Sequence, residues 1–157
     1  MSFLRRGLAG EPVKRLQIRL GVETDGEFGP DTEKALKDYQ QKNGLNPDGI
    51  AGPETFGQMG LYELVLLKVG SSGELVKRLQ AALTINVDGQ FGPGTAEELK
   101  KFQTKNGINS DGIAGPETLS KMEPFKEFTP EVVTASRLSE GNGKSKSIWD
   151  TVRGFFK

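Results

Sequence analysis

The chain contains no cysteine and no histidine. Without cysteine there is no disulfide framework and no thiolate chemistry. Without histidine there is no ordinary general base at neutral pH, and every Ser-His or Cys-His arrangement is excluded. Zinc held by nitrogen or sulfur ligands is excluded by the two absences together. An excess of either charge is also missing, since 21 Lys+Arg balance 21 Asp+Glu. A neutral chain does not suit nucleic acid, whose binding rests on neutralising phosphates, nor an anionic membrane surface. The longest apolar run, residues 61–67, falls far short of the ~18 residues that span a bilayer. The first residues, MSFLRRGLAGEPVK, hold two arginines but no apolar stretch of the signal-peptide kind. These features predict a protein made in the cytoplasm without a signal peptide, with no metal, no other cofactor, no nucleic-acid partner and no transmembrane segment. A pair of carboxylates is still open to glycosidic hydrolysis. The acids, however, lie in turns or on helix faces interleaved with lysine, where solvation accounts for them.

What the chain does contain is one unit written twice. Asp25-Gly26-Glu27-Phe28-Gly29-Pro30-Asp31-Thr32 is followed by Asp48-Gly49-Ile50-Ala51-Gly52-Pro53-Glu54-Thr55. Asp88-Gly89-Gln90-Phe91-Gly92-Pro93-Gly94-Thr95 is followed in the same way by Asp111-Gly112-Ile113-Ala114-Gly115-Pro116-Glu117-Thr118. Sliding the chain on itself by about 63 residues matches about 32 of 56 positions without a gap, the mark of a duplicated small domain. Each half of the unit is the same device. Asp-Gly forms a tight turn. One apolar residue then acts as a plug, expected to be Phe28, Ile50, Phe91 or Ile113. Gly-Pro starts a helix, because proline's missing N–H would be unpaired there anyway. The Thr hydroxyl is placed to serve the open N–H groups of the first turn.

In order along the chain, Val13, Leu16 and Leu20 form the apolar face of a first helix. A second is predicted over 30–42, ending at Asn43-Gly44, which suits a left-handed cap. A short third helix spans 53–59. Each repeat is therefore a three-helix bundle, with a core in the first copy of Val13, Leu16, Leu20, Phe28, Leu36, Tyr39, Ile50 and Phe56. The fold class is all-α, divided into a repeat at 1–60, an apolar linker at 61–66, a repeat at 67–122, an extension with a flexible linker at 123–146, and a short amphipathic docking helix at 147–157. The linker is apolar, so it is expected to pack and fix the relative orientation of the repeats. Within the extension a short helix is expected over 130–139, and GNGKSKS at 141–147 reads as flexible by composition. In the last segment Ser147 and Asp150 resemble a capping box. Ile148, Trp149, Val152, Phe155 and Phe156 form one helical stripe. A helix this short is marginal alone, so the stripe either folds back on its own repeats or docks on a protein partner.

The string LKVGSSGELVKRLQ, followed by DGQFGPGT, ELKKFQ, KNGI and DGIAGPET, resembles the peptidoglycan-binding-domain-like family, over 4–59 and again over 67–122. Those three-helix modules are attached to bacterial and phage cell-wall hydrolases and also occur in metalloproteinase propeptides, whose role depends on a cysteine this chain lacks. The resemblance implies the bundle fold and a wall ligand, a peptidoglycan stem peptide or glycan. Polar residues outside the core become the ligand candidates: Gln17, Asp25, Gln40, Asn43 and Asp48, then Gln80, Asp88, Gln103, Asn106 and Asp111. The expected function is non-catalytic peptidoglycan binding at the bacterial cell wall, in a phage tail or contractile injection particle joined through the C-terminal helix. Two alternatives stay open: an adaptor that has lost wall binding, and a targeting module or subunit of an endolysin-type hydrolase. The sequence after residue 122 is too short for an independent catalytic domain.

Overall fold

The computed structural model describes residues 2–139 and 145–154. The first repeat holds α1 (Glu11–Leu20), α2 (Pro30–Lys42) and α3 (Pro53–Gln58); the second holds α4 (Glu74–Ala82), α5 (Pro93–Lys105) and α6 (Pro116–Ser120). Four of these six helices, α2, α3, α5 and α6, begin with proline directly after an extended glycine, as the Gly-Pro pairs dictate. A short 3-10 turn (Tyr62–Leu64) joins the repeats, and α7 (Pro130–Ala135) follows the second one. The molecule is mostly helical, with seven α-helices and only small strands among the described residues.

Each repeat is tied by two isolated bridges. Leu4 pairs with Ala51 and Ala9 with Glu27; Leu67 pairs with Ala114 and Ser72 with Gln90. These bridges correct the plug of the second turns. Phe28 and Phe91 are buried as expected, but Ile50 is 40% exposed and Ile113 36% exposed. The inward position belongs to Ala51 and Ala114, both fully buried. At Ala51 the leading strand approaches closely, with Leu4 and Ala51 exchanging two backbone hydrogen bonds of 2.8 Å. Only a small side chain sits inward at such a crossing. Leu20 and Tyr39, placed in the core by the sequence, are partly buried at its edge.

One continuous core runs through both repeats. Leu16, Phe28 and Phe56 belong to the same cluster as Leu79, Phe91 and Leu119, joined by Leu64 and Val65 of the connecting segment. α3 packs on α4, and the Glu54 carboxylate accepts the Leu75 N–H at 2.9 Å across that junction.

The C-terminal segment departs from the expected amphipathic helix. After α7 the chain forms β2 (Arg137–Ser139), antiparallel to β3 (Ser145–Ser147). A 3-10 turn (Ile148–Thr151) comes next, and β4 (Arg153–Gly154) pairs with β1 (Leu8–Ala9) of the first repeat. The expected capping box is present: the Ser147 hydroxyl accepts from Trp149 N–H, and Asp150 accepts from Ser147 N–H. It caps a single 3-10 turn, because the backbone then extends at Val152 to pair with β1. The helix expected over 130–139 is likewise cut short, since residues 137–139 are drawn into the hairpin. Of the stretch 141–147, residues 145–147 are strand and the rest lies outside the described residues.

β4 explains Gly10. This residue precedes α1 at φ 138°, a conformation essentially closed to side chains. A Cβ there would also stand 2.6 Å from the Thr151 carbonyl oxygen. The Thr151 hydroxyl accepts the Glu11 N–H at 3.2 Å and so supplies the first turn of α1 with a partner its own glycine cap cannot provide.

Candidate functional site

The ten polar ligand candidates divide into two groups. Gln17, Gln40, Gln80 and Gln103 are each 1% exposed. Each glutamine closes the turn that follows its helix. Gln17 Nε2 donates to Asp25 Oδ1 at 2.9 Å, the Glu27 carbonyl at 3.0 Å and Thr32 Oγ1 at 3.1 Å, while its Oε1 accepts the Gly26 N–H at 2.9 Å. Gln40 repeats this with Asp48, Ile50, Thr55 and Gly49. Gln80 does so with Asp88, Gln90, Thr95 and Gly89, and Gln103 with Asp111, Ile113, Thr118 and Gly112. The same clasp is therefore built four times. A buried amide needs such partners, because an unmade bond there costs about 1–3 kcal/mol.

The glutamines are enclosed and engaged within their turns. One sequence expectation is corrected here. The Thr hydroxyls accept from the glutamine amides rather than capping their own helices. The signal was present but unread: each Asp-Gly is preceded eight residues earlier by Gln and followed by Thr at a fixed distance, four times over.

Asp25, Asp48, Asp88 and Asp111 stand at the surface end of each clasp, and each also accepts the N–H two residues on at 2.9 Å. At Asp88 the Gln90 backbone N–H and then the Gln80 amide hold the carboxyl below the usual Asp range. Asn43 and Asn106 are exposed helix-ending residues whose amides donate to the carbonyls of Tyr39 and Phe102 at 2.8 Å. Burial pushes the Tyr39 hydroxyl up, against the opposing pull of the Arg19 charge. The residues expected to dock a partner are turned inward: Ile148 is fully buried, Trp149 is 6% exposed and packs edge-on against Phe56 at 5.9 Å, and Val152 is half-buried. Phe155 and Phe156 lie outside the described residues.

Two grooves open over the second turn of each repeat, and their floors are related by the duplication. Asn46, Asp48, Ile50, Pro53 and Glu54 floor the first, a groove of about 830 Å³. Asn109, Asp111, Ile113, Pro116 and Glu117 floor the second, of about 240 Å³. The first gains its opposite wall from Phe3 and Arg5 and from Lys68, Val69 and Ser71 of the second repeat. The second is walled by Ser136, Arg137, Lys146, Ser147 and Trp149 of the extension. Sequence reading singled out Asp48 and Asp111 among these. It missed Phe3 and Arg5, which the Leu4–Ala51 bridge brings beside the floor, and Lys68 and Val69, which reach this groove when the repeats pack. Among the described residues no helix is long and apolar enough to cross a membrane.

The family model described as "Putative peptidoglycan binding domain" matches residues 9–59 and again 72–122. The zinc D-Ala-D-Ala carboxypeptidase of Streptomyces albus G is 42% identical over 69 residues, 39% of this chain and 26% of that protein. The N-acetylmuramoyl-L-alanine amidase CwlM of Mycobacterium tuberculosis is 42% identical over 76 residues, 45% of this chain and 18% of that protein. The spore cortex-lytic enzyme of Bacillus cereus is 42% identical over 60 residues, 34% of this chain and 23% of that protein. The chain thus spans about a quarter or less of the length of these relatives. A solved peptidoglycan-binding protein from Clostridioides difficile, in complex with glutamine hydroxamate, is 39% identical over 36% of this chain and 39% of that one, with a TM-score of 0.36. With both halves of its duplication matched, the chain belongs to the peptidoglycan binding domain family.

Proposed function

We propose that this chain is a non-catalytic binder of bacterial peptidoglycan, with a groove over the second turn of a repeat as its ligand surface. One observation carries the proposal. Ile50 and Ile113 are exposed at the same place in both repeats, where the fold requires no apolar side chain because Ala51 and Ala114 fill the core. Single exposed hydrophobics are ordinary; a matched pair on repeat-related groove floors is what a recurring ligand contact needs. The non-catalytic reading is supported by the lack of His and Cys and by the clasp aspartates, each held by internal hydrogen bonds.

The relatives favour a targeting role. In three proteins named as wall enzymes, the similar stretch is a minor part of a longer chain. A module of this kind carries attached machinery to the wall, whether a hydrolase or a phage-type particle. The particle reading through the C-terminal stripe stands second, because Ile148 and Trp149 are already covered by the first repeat. Sedimentation of the chain with purified sacculi tests the proposal. Co-sedimentation that soluble muropeptides compete away is expected. A chain left wholly in the supernatant, or one that clears a sacculus-loaded gel, overturns it.

A further inference from the structure

We propose that the chain has one working groove rather than two, that this groove is shared between the repeats, and that it takes the carboxylate-bearing end of a short peptide with small alkyl side chains. The inference rests on the peptidoglycan reading above and deepens it. The two floors are equivalent, so any difference arises at the opposite walls. Ligand pockets run about 300–1,000 Å³. The first groove, at about 830 Å³, falls inside that range, and the second, at about 240 Å³, falls below it. The second is narrowed by the chain's own extension, whose hairpin and 3-10 turn occupy the side that residues 68–72 leave open in the first.

The charges divide in the same way. In the second groove Arg137 pairs with Glu117, and Lys146 is engaged as well. In the first, Glu54, the counterpart of Glu117, accepts the Leu75 N–H instead, and Asp48 accepts from Gln40 and from the Ile50 N–H. Arg5 and Lys68 have no ion-pair partner among the described residues. The wall of the open groove therefore holds two cations outside any ion pair, Arg5 lying over the Phe3 ring at 5.8 Å, above a floor that carries Asp48 and Glu54 and beside the exposed apolar surface of Phe3, Ile50 and Val69. Guanidinium and ammonium groups recognise carboxylates through charge-assisted hydrogen bonds, and the apolar trio suits methyl-sized side chains. A neutral glycan offers no partner to the cations, so the peptide portion of the wall polymer fits this site better than the sugar. Since Lys68 and Val69 come from the second repeat and Ile50 from the first, the site is incomplete in either repeat alone.

The test is titration of the full chain with a defined disaccharide tetrapeptide carrying free carboxylates, followed by calorimetry and backbone amide NMR. The disaccharide without peptide serves as the comparison. One site per chain is expected, with shifts over residues 45–55 and 67–72 and none centred on 108–118. Arg5→Glu, exposed, combined with Lys68→Glu, partly exposed, is expected to weaken binding at least tenfold. Two equal sites, shifts centred on 108–118, equal binding of the bare disaccharide, or unchanged affinity in the double variant would each overturn the inference. Sedimentation with sacculi separates the two levels. Sacculus binding that survives the double variant sinks this site alone, whereas a wild-type chain that binds neither sacculi nor the muropeptide sinks the wall-binding reading with it.

Discussion

Gln40 and Gln41 are neighbours on α2 with opposite surroundings, and replacing each by leucine separates the clasp from mere composition. Gln40 is 1% exposed, and Gln41 is on the surface. Gln40→Leu keeps the side-chain volume but removes the donor to Asp48 (3.2 Å), the Ile50 carbonyl (2.9 Å) and Thr55 (3.3 Å), and the acceptor of the Gly49 N–H (3.0 Å). The two amide hydrogens share three acceptors, so about three net bonds are lost, at about 1 kcal/mol each. The buried Gly49 N–H is left without a partner, which adds about 1–2 kcal/mol. The expected loss is about 4–5 kcal/mol, or roughly 8–20 °C in melting temperature for a chain of this length. Gln41→Leu is expected to stay within about 0.5 kcal/mol of the parent. Urea denaturation followed by circular dichroism measures both, in a single transition because one core spans the repeats. If the two variants were equally stable, the glutamine clasp would not be what closes these turns.

Gly10→Ala is expected to cost about 3 kcal/mol, because φ 138° is closed to alanine and the new Cβ would strike the Thr151 carbonyl; a thermal midpoint equal to the parent's would refute it. Trp149→Ala should cost about 3–5 kcal/mol through the cavity left against Phe56. Calorimetry decides that one, and a loss under about 1 kcal/mol would mean that the C-terminal turn does not help hold the first repeat. The Asp88 carboxyl lies below its ordinary range in the folded chain, so its stabilising contribution is complete above the unfolded value of about 3.9 and is lost as pH falls through the lower folded value. The stability difference between Asp88→Asn and the parent should therefore shrink toward zero in acid. A difference independent of pH would count against the assigned hydrogen bonds.

Much of this architecture is a local matter, and local matters are written in sequence. Asp-Gly sets the turn, Gly-Pro sets the helix start, and the duplication doubles both, because each depends only on the conformational freedom of adjacent residues. Three features were decided elsewhere. Ala51 rather than Ile50 faces the core, because Leu4, far away in the chain, bridges to it. Residues 148–154 are a 3-10 turn and a short strand rather than an α-helix, because β1 of the first repeat offers an edge for pairing and Phe56 offers apolar surface, which together outweigh a short helix's weak propensity. The unequal grooves likewise arise from long-range packing, since their floors are nearly identical in sequence and only the elements laid against them differ. Residues 4–59 and 67–122 carried the fold and the family in their own pattern; which surface stays open to a ligand depends on contacts between segments that no local pattern encodes.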